Sequence, residues 1–195
     1  MTAPDESAST APKRRSRPII LVGMMGAGKT TVGRRLAARL GRDFVDADRE
    51  IEARCGVPIA TIFELEGEEG FRQREAGLLD ELSSRSNLVL ATGGGAVLRA
   101  ENRARLRERG FVVFLRAGAA GLWQRLKRDR VRPLLQTENP RQRIVDLLAQ
   151  REPLYREVAH LTVTSGRLPI DALVTDIIGR LPEDLLPAVR VDDPA

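Results

Sequence analysis

The chain has 195 residues, of which 42% are hydrophobic and 30% charged, with a formal net charge of +5 and a single cysteine. That length suits one domain with a full α/β core, and no apolar run approaches the roughly 20 residues needed to span a bilayer. The lone Cys55 excludes an internal disulfide framework and fits a reducing cytoplasm.

Residues 1–17 lack the apolar core of a secretory signal. Their basic run, Lys13-Arg14-Arg15-Ser16-Arg17, sits among Ala, Ser, Thr and Pro, the composition of a disordered tail. Arginine clusters also mark nucleic-acid binders, but aromatics make up only 4% of the chain, so stacking platforms are scarce. Nucleic acid is therefore not the expected partner.

Pro18 to Val22 is a short apolar run of buried-strand type. Gly23-Met-Met-Gly-Ala-Gly-Lys-Thr30 follows it, and Thr31 to Leu40 then carries helix-spaced Val32, Leu36 and Leu40. A strand, G-x-x-x-x-G-K-T and a helix together make a phosphate-binding loop. Its glycines let backbone N–H groups turn inward at an anion, and the helix N-terminus adds partial positive charge. Lys29 can reach the β- and γ-phosphates, and the Thr30 hydroxyl suits Mg²⁺. Gly26, Ala27, Gly28, Lys29, Thr30 and Thr31 are the candidate nucleotide-binding residues.

Phe44-Val45-Asp46 reads as a second strand, ending at the pair Asp46 and Asp48. A helix starts over Arg49 to Arg54 and is interrupted by Gly56-Val57-Pro58. Ile59 to Leu82 is helical by period, with a break around Gly67 and Gly70. Leu88 to Ala91 is a third strand, running into Thr92-Gly93-Gly94-Gly95. A helix over Glu101 to Arg109 leads to strand Phe111 to Leu115, then a helix over about Ala119 to Lys127. Leu161 to Thr164 is the last strand and Ile170 to Leu181 the closing helix, with a Pro- and Asp-rich loose tail over 182–195. Alternating strands and helices argue for one parallel sheet of five strands with helices on both faces.

Asp129 to Pro140 is polar, with Arg130, Arg132 and two prolines, and reads as a lid. Ligands of open parallel sheets bind outside the carboxyl ends of the strands. That rule selects the phosphate loop, Asp46 with Asp48, and Thr92 to Gly95. A carboxylate there can orient a hydroxyl for phosphoryl transfer; equally, either aspartate can cap the next helix. Three glycines allow close backbone approach to a ligand, and they also make a plain turn. Arg72 and Glu75, three residues apart, can meet on one helical face, either as a surface ion pair or as a guanidinium held toward an anionic substrate. Arg156 is ambiguous in isolation. His160 and Trp123 read as structural, and Cys55 has no His or second Cys near it in sequence.

Between Pro18 and Leu181 the motifs resemble the shikimate kinase family. The resemblance rests on the loop with Val32-Gly33-Arg34, Asp46-Ala-Asp48, Ile62-Phe63, Gly67-Glu68 and Phe71-Arg72 with Glu75. It continues in Thr92-Gly-Gly-Gly95, Arg132-Pro-Leu-Leu135, and Arg151 with Pro153-Leu-Tyr-Arg156. It implies a three-layer α/β/α P-loop kinase of the nucleoside-monophosphate-kinase type with a mobile lid, monomeric and cytoplasmic, transferring the ATP γ-phosphate to the 3-hydroxyl of shikimate. By the same resemblance, Asp48 orients the acceptor, with Lys29 and Arg132 also catalytic. Arg72 and Arg156 clamp the carboxylate, and Gly94 meets the ring through its backbone. Thr30 ligates Mg²⁺, with Asp46 acting through water, and Arg125, Arg132 and Arg167 serve ATP. Gluconate kinase is the nearest alternative, but Thr92 to Gly95, Arg132 to Leu135 and Arg72 beside Glu75 argue against it. A guanine-specific switch would carry Asn-Lys-x-Asp, which the chain lacks.

Overall fold

The computed structural model describes residues 16–127 and 137–187. Five parallel strands form one sheet: β1 (Ile19–Val22), β2 (Asp43–Asp46), β3 (Leu88–Ala91), β4 (Phe111–Arg116) and β5 (Leu161–Thr164), in the order β2-β3-β1-β4-β5. The helices are α1 (Lys29–Leu40), α2 (Ala47–Cys55), α3 (Ile59–Ser83), α4 (Ala100–Arg109), α5 (Ala119–Leu126), α6 (Pro140–Val158) and α7 (Ile170–Gly179). Central β1 and its neighbour β3 are buried throughout, as their unbroken apolar runs require of strands covered on both faces. β2 is an edge and admits the exposed Asp43.

Register decides where the site forms. Leu21 pairs with Ala91, and Ala91 with Asp46, so the carboxyl ends of β1, β3 and β2 share one row. The chain leaves that row as the phosphate loop, the Thr92 to Gly95 turn and the Asp46–Asp48 segment. On the other side Arg116 pairs with Thr164, aligning the ends of β4 and β5.

The break expected near Gly67 and Gly70 falls at Gly67 alone, whose φ of 70° and ψ of −177° leave the helical region within α3. Helix α6 is a difference from the sequence reading, which assigned no element to 141–158. Asn139 caps it by accepting from Gln142 N at 3.1 Å, and Pro140 occupies its first turn. Its inward face runs Ile144, Leu147, Arg151, Tyr155, Val158. An arginine within that stripe and Pro153 inside the helix masked the period.

The segment expected to be loose from 182 onward also differs. Residues Glu183–Leu185 form a 3₁₀ turn, and Leu185 is fully buried. Arg42 ties both ends of the domain together, donating to Leu185 O at 2.7 Å and Arg17 O at 2.9 Å. Most of the expected lid, Arg132 included, lies outside the described residues, as do the basic run up to Arg15 and the chain beyond 187. Among the described residues no helix is long and apolar enough to cross a membrane.

Candidate active site

The phosphate loop links β1 to α1. Gly28 precedes α1 with φ at 96°, a left-handed conformation that glycine adopts without a Cβ penalty. Lys29 is buried, and its Nζ donates to Gly23 O at 2.8 Å and Met24 O at 3.0 Å, so the ammonium lies within the loop itself. Thr30 Oγ1 donates to Asp46 Oδ2 at 2.6 Å. The other oxygen of Asp46 accepts from Arg49 N at 3.4 Å and caps α2. Asp46 therefore caps the helix, as one sequence reading expected, while its second oxygen stays bound to the phosphate-loop hydroxyl. Asp48 is not the cap; it lies in the first turn of α2.

Beside the loop is a cleft of about 360 Å³, which Asp48, Arg72, Glu75, Gly94 and Arg151 line, with Ile59 and Phe63 on its apolar side. Arg72 is 6% exposed and Glu75 1%, so their ion pair is interior and not a surface pair. Arg72 Nη1 donates to Glu75 Oε2 at 2.7 Å, and Nη2 donates to Glu68 Oε1 at 3.1 Å. Burial works against the Arg72 charge, but Glu75 and Glu68 more than offset it and raise its pKa. Burial pushes the Glu75 carboxyl up, opposed by Arg72.

Two of the three glycines after β3, Gly93 and Gly95, are required by close approach. A Cβ on Gly93 would lie 2.6 Å from Glu75 Oε1 and 2.7 Å from Asp48 Oδ1, and one on Gly95 would overlap the Arg72 guanidinium. The turn is thus pressed between the acidic and basic groups of the cleft.

Sequence reasoning placed Arg156 in this site, and the structure does not bring it there. Arg156 is exposed on α6 and donates to Glu152 Oε1 at 2.6 Å. Five residues along a helix is about 140° of rotation, so Arg151 and Arg156 face different ways. The cleft holds Arg151 instead, 3% exposed, with Nε and Nη1 lacking a hydrogen-bond partner among the described residues. Burial, followed by the neighbouring Arg72 charge, works to lower its pKa, against the pull of the Tyr155 oxygen. A stripe position between Leu147 and Tyr155 was the signal that could have found it.

A second cavity of about 390 Å³ opens at the ends of β4 and β5, between Arg116, Arg125, Glu152, Ser165, Gly166 and Arg167. It adjoins the phosphate loop, because Arg125 Nη1 donates to Gly26 O at 2.7 Å. Arg125 and Arg167, named from loose motifs, thus share one cavity. Trp123 packs against the core and His160 Nδ1 accepts from Val112 N at 3.0 Å, both structural as expected.

The family model described as shikimate kinase matches residues 25–182. The chain belongs to the shikimate kinase family. A shikimate kinase of Bordetella pertussis is 55% identical over 179 residues, covering 92% of this chain and 84% of its own. The solved structure of a shikimate kinase from Acinetobacter baumannii in complex with shikimate has a TM-score of 0.82 at 54% identity, covering 85% of this chain and 92% of that one. A gluconokinase from Sinorhizobium meliloti shares the fold alone, at 18% identity and a TM-score of 0.56, over 89% of this chain and 93% of its own. Membership of the shikimate kinase family bears out the sequence reading of a P-loop kinase with a five-stranded parallel sheet.

Proposed function

We propose that this chain transfers the γ-phosphoryl group of ATP to the 3-hydroxyl of shikimate, giving shikimate 3-phosphate and ADP on the route to chorismate. The observation that carries this reading is the pairing of Arg72 and Arg151 in one cleft beside the phosphate loop. Arg72 works to lower the Arg151 pKa, so the two guanidinia repel each other, and an arriving carboxylate relieves that repulsion. Arg151, in place of Arg156, is the second arm of the clamp.

Asp48 is the acceptor-orienting carboxylate: it lines the same cleft and lies next to Gly93. Phosphoryl transfer asks mainly for positioning and charge neutralisation, so one carboxylate at the hydroxyl suffices. Gly94 offers its backbone to the ring. Gly26 to Thr31 cradle the phosphates, with Lys29 exchanging its loop carbonyls for phosphate oxygens. Arg125 and Arg167 flank the base in the second cavity, and Arg132, outside the described residues, is expected to close over the phosphates.

Thr30 and Asp46 would hold Mg²⁺, Thr30 directly and Asp46 through water. The residues fit: they are hard oxygen donors at the loop, and among the described residues no cluster of three His, Cys, Asp or Glu competes. Mg²⁺ bound at kinases keeps several waters and takes phosphate oxygens, and it supplies charge neutralisation. A monomer is the expected form, and the lone Cys55 suits a cytoplasmic setting.

The test is a coupled ADP-release assay with Mg-ATP and shikimate, gluconate or no acceptor. Release dependent on shikimate supports the proposal. Release with gluconate alone refutes the substrate while keeping the kinase.

A further inference from the structure

Tyr155 is fully buried on α6, with its ring stacked on Phe114 at a centroid distance of 5.1 Å. The ring alone would serve that packing. A hydroxyl carried into such a core costs free energy unless it is hydrogen-bonded. Its partners all belong to the ligand-binding apparatus. The phenol donates to Gly94 O, lies 3.7 Å from Met24 Sδ in the phosphate loop, and is in electrostatic contact with the Arg151 guanidinium one helical turn back. Burial raises the phenol pKa, so the group remains a donor at any working pH.

Gly93, Gly94 and Gly95 carry no side chain with which to fix their own peptides, and an unfixed turn pays ordering entropy when a ligand binds. A hydrogen bond to Gly94 O sets the plane of the whole Gly94–Gly95 peptide, since C=O and the following N–H are rigidly coupled. The Tyr155 oxygen is also in electrostatic contact with Arg151. One hydroxyl therefore bonds the backbone of the cleft and interacts electrostatically with its cation.

We propose that the Tyr155 hydroxyl is a positioning group for shikimate, holding the Gly94–Gly95 peptide and the Arg151 guanidinium in one fixed arrangement before the substrate arrives. It does not touch the reacting atoms; it acts through Gly94 and Arg151. This rests on the shikimate assignment of the cleft, so wild-type turnover with shikimate is established first, and its failure would count against that assignment rather than against Tyr155.

The experiment is steady-state kinetics of Tyr155→Phe, which keeps the ring and removes the hydroxyl. The expected result is a KM for shikimate raised about tenfold, as one preorganising hydrogen bond supplies. The kcat and the KM for ATP should change little, and the Tm should fall only modestly, by what one unpaired buried carbonyl costs. An unchanged shikimate KM would overturn the proposal, as would a parallel loss in both KM values and kcat with a lowered Tm. Tyr155 is the only tyrosine of the chain, so 3-fluorotyrosine labelling of the otherwise unaltered protein gives one ¹⁹F resonance at this position. Shikimate added without nucleotide should shift that resonance, with a midpoint at the shikimate Kd. A resonance unmoved at saturating shikimate would overturn the proposal even if Tyr155→Phe failed to fold.

Discussion

Glu75 holds Arg72 from within the protein: its Oε2 accepts a 2.7 Å hydrogen bond from Arg72 Nη1 while only 1% of the residue is exposed. The carboxylate is placed where it can fix the guanidinium yet cannot itself be hydrated. Because the pair is interior, each partner depends on the other, and removing one strands a buried charge.

Arg72→Lys keeps the charge and loses the planar fork. The shikimate KM should rise about tenfold or more, because a point charge cannot engage Glu75 and a substrate carboxylate in fixed geometry. The KM for ATP should stay within about twofold. Arg72→Ala, by contrast, leaves Glu75 unpaired and should cost about 3–5 kcal/mol of stability, read by denaturant titration.

Arg151→Gln and Arg156→Gln separate the two α6 arginines. Arg151→Gln should raise the shikimate KM about tenfold or more, since it removes a buried charged donor. Arg156→Gln should leave both KM values within about twofold, as expected of an exposed pair with Glu152. The reverse pattern would return the clamp to Arg156.

Asp48→Asn should lower kcat by about 10²- to 10⁴-fold, the usual contribution of a positioned acid–base group. Nucleotide affinity, followed with a fluorescent ADP analogue, should be retained because the phosphate loop is untouched. Near-normal turnover would remove Asp48 from its assigned role.

Gly93→Ala introduces a Cβ 2.6 Å from Glu75 Oε1 and 2.7 Å from Asp48 Oδ1. Both carboxylates must shift, so kcat/KM for shikimate should fall by at least about tenfold, in line with the sensitivity of catalysis to displacements near 1 Å. Gly77→Ala is the control: nothing lies within 4 Å of the added Cβ, and the site is on α3. It should leave turnover unchanged and add about 0.5–1 kcal/mol of stability.

The sheet was legible because β1, β3 and most of β4 are short apolar runs, the edge strands β2 and β5 keep β-branched or aromatic residues, and the helices between them are punctuated by glycine and proline. The phosphate loop and the Asp46–Asp48 pair followed from local pattern. Helix α6 was not legible, since Arg151 breaks its apolar stripe for the sake of the cleft and Pro153 interrupts it. The choice between Arg151 and Arg156 depends on helical phase, so missing α6 hid the placement of both. Leu185 reads as part of a polar tail until the fold brings Arg42 to its carbonyl. Arg125 and Arg167 come from different elements, and only the aligned ends of β4 and β5 unite them.

His160 gives a pH dependence of stability. Its Nδ1 accepts from Val112 N, and although the residue is exposed, partial desolvation of the ring, with Arg107 and Arg17 nearby, holds its pKa below the ordinary 6.5. The unfolded chain therefore takes up this proton first as pH falls. The contribution is fully present above about pH 6.5 and is lost as pH falls through the lower folded value. The denaturation midpoint should drop between about pH 7 and pH 5, and His160→Gln should flatten that part of the slope.

The most direct measurement is ³¹P NMR of the reaction mixture of protein, Mg-ATP and shikimate. Consumption of the γ-phosphate signal should be matched by one new phosphomonoester resonance, coupled to the proton on carbon 3 of the ring, together with ADP. Inorganic phosphate as the sole product, or a phosphomonoester that forms with gluconate and not with shikimate, would contradict the assignment of this cleft.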